Sequence, residues 1–159
     1  MPQEVQATQD KKVMFVSIIF FMGFTSVLAF FLPALYMSKD GIRYEVLGLQ
    51  AVLGFGDKYN FNVLSFLGYF LGFVATTLSV SFFHKKHQRY YISASLFLLS
   101  SILVILEIPF FKVANKALVE NATLSISFGP IIAFVSLLVA FGVSTYVAIK
   151  KEIKDKVKV

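Results

Sequence analysis

The sequence predicts an all-α integral membrane protein: a four-transmembrane-helix bundle with both termini cytoplasmic and a small β-hairpin-like loop capping helices 1 and 2 on the far side. Three observations predict it. Of 159 residues, 57% are hydrophobic and only 15% charged, with a mean hydropathy of +0.76, whereas soluble domains carry about 25% charged residues. Four long apolar stretches fill most of the chain, three without any Asp, Glu, Lys or Arg and the third with Glu107 alone. The basic residues divide unevenly between alternate connecting segments. The chain reads as one membrane domain with spans over 13–36, 61–83, 90–111 and 128–149. Outer loops cover 37–60 and 112–127, and a basic tail covers 150–159.

The first stretch follows Lys11 and Lys12 and exceeds the ~20 residues needed to cross a ~30 Å hydrocarbon core, so it spans with tilt or ends early; Pro33 marks its outer end. Two lysines before an apolar run also open a secretory signal peptide. This run is longer than the usual ~7–15-residue apolar region of such a peptide and lacks a small-x-small cleavage site before Lys39, so an uncleaved anchor is expected. The second and third stretches are joined only by His84-Lys85-Lys86-His87-Gln88-Arg89, which demands a tight antiparallel pair. In the fourth, Ser127 is placed to cap and Pro130 falls in the first turn, where its missing N–H costs little. Lys150 and Lys151 close it.

Four spans put both termini on one side, and charge says which. The N-tail, central turn and C-tail hold ten of the 15 basic residues: Lys11, Lys12, Lys85, Lys86, Arg89, Lys150, Lys151, Lys154, Lys156 and Lys158. The outer loops hold Lys39, Arg43, Lys58, Lys112 and Lys116, matched by Asp40, Glu45, Asp57, Glu107 and Glu120. The positive-inside rule therefore places the ends in the cytoplasm, and the net charge of +6 lies on that face. There Lys85, Lys86, Arg89, Lys150 and Lys151 are expected to meet anionic lipid, each worth about 1 kcal/mol near the surface. A nucleic-acid partner is not expected, because the basic segments lack interleaved aromatics. With no Trp among 19 Phe and seven Tyr, the interfacial belt falls to Tyr36, Tyr44, Tyr59, Tyr90, Tyr91 and Tyr146. Richness in Phe, Ile, Lys and Tyr suits a genome poor in G and C, and a bacterial plasma (inner) membrane is the expected location.

In the first outer loop Ile42, Tyr44 and Val46 alternate with Arg43 and Glu45, a period-2 strand signature, and Leu49 to Leu53 is its expected partner across Gly48. Gly54, Gly56 and Asp57 supply a turn before the chain re-enters the membrane. In the second outer loop Val113, Ala117 and Leu118 fall at helical spacing, predicting an extension of the third helix or an interfacial helix. Four spans, both ends inside and a longer, strand-prone first outer loop resemble the plan of claudin-like tetraspan proteins. That family's first loop carries Trp residues and a Cys pair, and this chain contains neither residue type, so no role or residue passes across.

The absence of Cys excludes disulfides, thiolate metal sites and thiol nucleophiles within this sequence. His84 and His87, at i and i+3 in a lysine-rich turn without a carboxylate, read as a solvated corner rather than a metal site. No Ser has a His within reach, so serine hydrolysis is not expected. Asn121-Ala122-Thr123 fits a glycosylation sequon, which matters only in a eukaryotic secretory pathway. No catalytic residue, cofactor or metal is predicted.

Small residues carry the remaining signal, since close approach drives helix association in lipid. Ser65, Gly68, Gly72, Thr76 and Ser79 share one face of the second span, with Gly68 and Gly72 forming a GxxxG; Ala133, Ser136, Ala140 and Ser144 repeat the theme in the fourth, and the first offers Gly23 and Ser26. Packing within the bundle is expected, with a homo-oligomer or docking on a larger membrane complex as the alternative. Glu107, in Leu106-Glu107-Ile108-Pro109, is the one deep-set acid; the expected reading is an interfacial pair with Lys112, against a proton or cation site. The expected function is therefore a non-enzymatic accessory or scaffold subunit acting through helix packing and its outer loop. The alternative is an oligomeric small-solute or ion pathway with Glu107 near the outer mouth.

Overall fold

A computed structural model describes the backbone of residues 3–54, 58–80 and 88–157, and the side chains of 13–54, 58–80, 88–150, 152 and 153. It is mostly helical, with four helices long and apolar enough to cross a membrane and a small three-stranded sheet. The order is α1 (Gln3–Leu28), a 3-10 turn (Ala29–Phe31), β1 (Pro33–Lys39), β2 (Ile42–Leu47), α2 (Gly48–Leu53), α3 (Val63–Val80), α4 (Gln88–Ile105), α5 (Glu107–Ala114), β3 (Thr123–Ile126) and α6 (Phe128–Val157). The apolar spans lie in α1, α3, α4 and α6, covering Val13–Phe31, Val63–Val80, Gln88–Ile105 and Phe128–Lys150.

The four long helices pack in a ring, α1 on α3, α3 on α4, α4 on α6 and α6 on α1. Side chains turned outward are large and apolar, among them Phe20, Phe21, Phe24, Phe70, Phe73, Val135 and Val139. Many of those turned inward are small or hydroxylic, among them Ser26, Ser65, Thr76, Ser79, Ser93, Ser100, Ala133, Ser136, Ala140 and Ser144, with Ile19, Tyr69, Tyr90, Phe97, Val104 and Leu137 filling the space between them. Large apolar side chains outside and small ones at the helix contacts are the pattern expected of helices that associate in lipid through van der Waals contact. At Gly72 all four helices converge: a Cβ built there would meet Ser100 Oγ at 2.9 Å, Leu137 Cδ2 at 3.0 Å and Ser26 Oγ at 3.5 Å. Gly23 of α1 takes the side chain of Thr76 against its backbone, leaving no room for a methyl group.

The outer loops differ from the sequence reading. The first span does not run to residue 36; helix gives way to strand at Pro33, whose ring removes the N–H a continuing helix needs. Leu35 and Tyr36, read as the end of a span, pair instead with β2, and Ala34 sits at the irregularity between the Pro33 and Leu35 pairs. The hairpin therefore forms one strand earlier than expected. Its turn is Asp40-Gly41, with φ of +52° and +77°, the two left-handed residues of the hairpin turn that matches strand twist. Leu49 to Leu53, the expected partner strand, is helix α2, where Gln50 Oε1 accepts the Leu47 N–H at 3.2 Å. Strand β3, in the second outer loop, joins the far edge of β1 in register Leu35↔Ile126 to Ser38↔Thr123, giving the order β2-β1-β3.

The third span is broken. Pro109 cannot donate to Ile105, and the helix kinks at Leu106 before resuming as α5. So the sequence-based span over 90–111 is a helix ending at Ile105 plus a short helix that supports the sheet. Under the sheet, Leu35, Met37, Val46, Ala51 and Phe111 form a second apolar core with Tyr59, Ile108 and Val119 against it. The Tyr59 and Phe111 rings stand 5.7 Å apart. Ser127 occupies the position before α6, but its hydroxyl has no partner; its N–H donates instead to Ala34 O at 2.9 Å, continuing the β1–β3 ladder. At the opposite end α6 stays helical through the Lys-rich tail to Val157 rather than stopping at Lys150, since Lys and Glu are good helix formers. Glu152 Oε2 accepts a bond from Tyr91 OH of α4 at 2.6 Å.

Candidate functional site

In the bundle interior, the small residues of the second span are all buried. Gly68 faces Leu103 and Val104 of α4, Gly72 the four-helix centre, and Thr76 the backbone of Gly23. Ser65 and Ser79 lie on the same buried face. Ala133, Ser136 and Ala140 of α6 are buried too, with Ser144. Several interior hydroxyls bond to backbone carbonyls, Ser26 to Gly23 at 2.6 Å, Thr76 to Gly72 at 2.8 Å and Ser79 to Ala75 at 2.9 Å, whereas those of Ser65, Ser93 and Ser144 have no hydrogen-bond partner. Ser100 of α4 donates across to Gly68 O of α3. Both small-residue stripes face the inside of the bundle.

Glu107 departs from its expected role. It is 0% exposed, whereas Lys112, five residues on and so about 140° around the helix, is exposed. The carboxyl pairs instead with α3, accepting a bond from Tyr69 OH on Oε2 at 3.2 Å. Tyr69 is itself buried, its ring 5.2 Å from that of Phe30. Sequence reasoning missed this partner because it lies 38 residues away, with no local pattern to mark it.

The depth of the acid follows from helix register. In the antiparallel pair α3 and α4, Gly72 meets Ser100 and Gly68 meets Val104, so each step inward on one helix is matched on the other. Continued one turn toward the cap, that register brings Glu107 opposite Ser65, and the Glu107 side chain bonds Tyr69 of α3. Asn62 sits just above: its Oδ1 accepts the Ser65 N–H at 3.2 Å and caps α3. Among the described residues, Asn62 Nδ2, Ser65 Oγ and Glu107 Oε1 are buried and lack hydrogen-bond partners. Ser93, Ser127, Ser144 and Thr145 carry unpartnered hydroxyls elsewhere, while these three fall where the register brings α3 and α5 together.

A second group of polar residues pins the cap to this end. Asn60 N–H donates to Asn115 Oδ1 at 2.7 Å and Asn60 Nδ2 to Ala114 O at 2.7 Å, while Asn115 Nδ2 donates to Phe111 O at 3.2 Å. The first loop is thereby sewn to the end of α5. Lys39 Nζ reaches Leu118 O at 3.4 Å. None of these asparagines was singled out from sequence; an Asn next to an apolar run, as in Asn60-Phe61-Asn62, was the available signal.

At the opposite end, Arg89 lies over the Tyr90 ring, 4.6 Å from its centroid, and donates to Tyr90 OH at 2.7 Å. Lys150 is exposed beside Tyr146. Lys85 and Lys86, with His84 and His87, lie outside the described residues, as do Gly56 and Asp57; the side chain of Lys151 is also outside them. The chain matches no family model, no curated protein and no solved structure, so its likeness to claudin-like tetraspan proteins is one of layout alone.

Proposed function

We propose that this chain is a non-enzymatic accessory protein of a plasma (inner) membrane, with both termini cytoplasmic, that holds a partner membrane protein through its outer cap. The observation that carries the reading is strand β2. It is an open edge of the sheet, and Ile42, Tyr44 and Leu47 along it are 55%, 45% and 40% exposed. Sheet edges with free backbone groups pair with other chains, and strand addition is a recurrent mode of recognition; the exposed Arg43 and Glu45 on the same strand add charges that a partner would have to match. The sheet is also held rigidly, by its own apolar core and by the Asn60–Asn115 bonds, which lowers the ordering cost of binding. The small-residue stripes support the same conclusion by elimination, because they are occupied inside the bundle and leave the cap as the surface open to a partner. The basic end, with Arg89 and Lys150 at its rim, suits an anionic inner leaflet.

Site-specific photo-crosslinking tests this. A benzophenone side chain in place of Tyr44 is expected to capture one membrane protein at high yield in living cells. The same group in place of Val135, on the outward face of α6, is expected to capture lipid. Equal, diffuse crosslinking from both positions would overturn the cap as the docking surface, and capture of a second copy of this chain would make the partner itself.

A further inference from the structure

We infer that Asn62, Ser65 and Glu107 form a buried water-binding site, through which the Glu107 carboxyl exchanges protons with the cap-side solution. The inference does not depend on the docking role proposed above. Three polar atoms that the α3–α4 register and the Asn62–Ser65 bond bring to the same end of the bundle have no protein partner: an acceptor, Glu107 Oε1; a donor, Asn62 Nδ2; and a hydroxyl able to do either, Ser65 Oγ. None of the three bonds to another. A buried water typically makes about three hydrogen bonds to otherwise unsatisfied groups, and this set offers it one to donate, one to accept and one of either kind. Left unsatisfied, each group would cost about 1–3 kcal/mol.

The chemistry of the donors argues for water over a metal ion. Among the described residues no three His, Cys, Asp or Glu side chains lie together, and a divalent cation wants several oxygen ligands with more than one carboxylate. A monovalent cation is disfavoured as well. Asn62 contributes an amide N–H donor to the set, and Glu107 stands in the first turn of α5, whose N-terminal dipole offsets part of a negative charge there. Asn62 is also only two residues from exposed Asn60, so the site lies within about one helical turn of the cap surface.

Infrared difference spectroscopy of the full-length protein in lipid nanodiscs tests the site. Subtracting the Glu107→Gln spectrum isolates the Glu107 carboxyl, read at a pH low enough to show its C=O stretch. Transfer to D2O is expected to shift that band within the mixing time. Ser65→Ala is expected to slow the shift at least tenfold, and Ser65→Thr, which keeps the hydroxyl, to restore it. A band unshifted after hours, while the amides of residues 58–60 exchange, would show a dry carboxyl and overturn the inference. So would loss of the band when sodium replaces choline at constant pH, which would assign a cation site instead. A Ser65→Ala protein exchanging at the parent rate would remove Ser65 from the water's partners and overturn the site as drawn.

Discussion

Substitution of Gly72 gives the sharpest test of how the bundle is held. A methyl group added there meets Ser100 Oγ at 2.9 Å and Leu137 Cδ2 at 3.0 Å. Carbon contacts settle at about 3.5–4.0 Å, so both neighbours must retreat by about half an ångström or more. Leu137 can swing its tip, but Ser100 is tied by its bond to Gly68 O. Overpacking of this kind costs about 1–3 kcal/mol, and losing the Ser100 bond adds about 0.6 kcal/mol. In a soluble helix Gly→Ala would recover about 0.5–1 kcal/mol of backbone entropy. Here the dissociated helices stay helical in the bilayer, so that gain largely cancels between the two states. Gly72→Ala is therefore expected to destabilise the bundle by about 2 kcal/mol, and Gly72→Leu by more than about 3 kcal/mol. Gly142 is the internal control, exposed on α6 with nothing within 4 Å of an added Cβ. The chain contains no Cys, so dyes on Phe21→Cys and Leu99→Cys report helix separation during SDS titration in mixed micelles. If Gly72→Ala and Gly142→Ala unfold within 0.5 kcal/mol of each other, close approach at Gly72 is not what holds the helices.

Three further outcomes are expected. Tyr69→Phe leaves Glu107 Oε2 without its donor and should cost about 1–3 kcal/mol in the same titration; a cost below about 0.5 kcal/mol would mean that the Tyr69 bond contributes little. Asn115→Ala removes the acceptor of the Asn60 N–H and the donor to Phe111 O, so amide exchange at Asn60 should quicken about tenfold, corresponding to about 1.4 kcal/mol, while exchange within α6 is unchanged. For orientation, an impermeant maleimide should label Ser125→Cys in intact cells but Ile153→Cys only after permeabilisation. The reverse pattern would place the cap in the cytoplasm.

The four long helices were legible because nothing but an apolar, uncharged run of that length reads as a span. Their ends were not. Ala34, Leu35 and Tyr36 are as apolar as the helix before them, and hydropathy cannot distinguish a spanning residue from one buried in a sheet core; Pro33 was the signal that the helix had stopped. The hairpin was expected with the wrong partner because Ile42, Tyr44 and Val46 were paired forward across Gly48 when Asp40-Gly41 was the stronger turn. Gly48 instead accepts close backbone approach from Phe30 and starts α2. Strand β3 was missed altogether, since four alternating residues, Thr123 to Ile126, take their strand character from pairing with β1 rather than from their own propensity. Non-local pairing is also why Glu107 was matched with Lys112, its neighbour in sequence, instead of Tyr69.

The small-residue stripes change meaning between sequence and structure, and the change bears on where the proposed partner would dock. A GxxxG face serves equally well within one chain or between chains, so the sequence leaves Gly68 and Gly72 open to both. In the folded chain Leu103, Val104, Ser100 and Leu137 already occupy them. A partner competing for that face would have to displace α4, giving up both the packing at Gly72 and the Ser100 bond to Gly68. What remains on the outward helix faces is mainly Phe, Leu, Ile and Val, which lipid satisfies as well as a protein would. Specific recognition therefore needs groups that lipid cannot match: an unpaired backbone edge and exposed tyrosine. Both occur along β2, which is why a partner that released on Gly72→Leu should do so only by way of a disordered cap, and should release equally from a β2 variant whose bundle is intact.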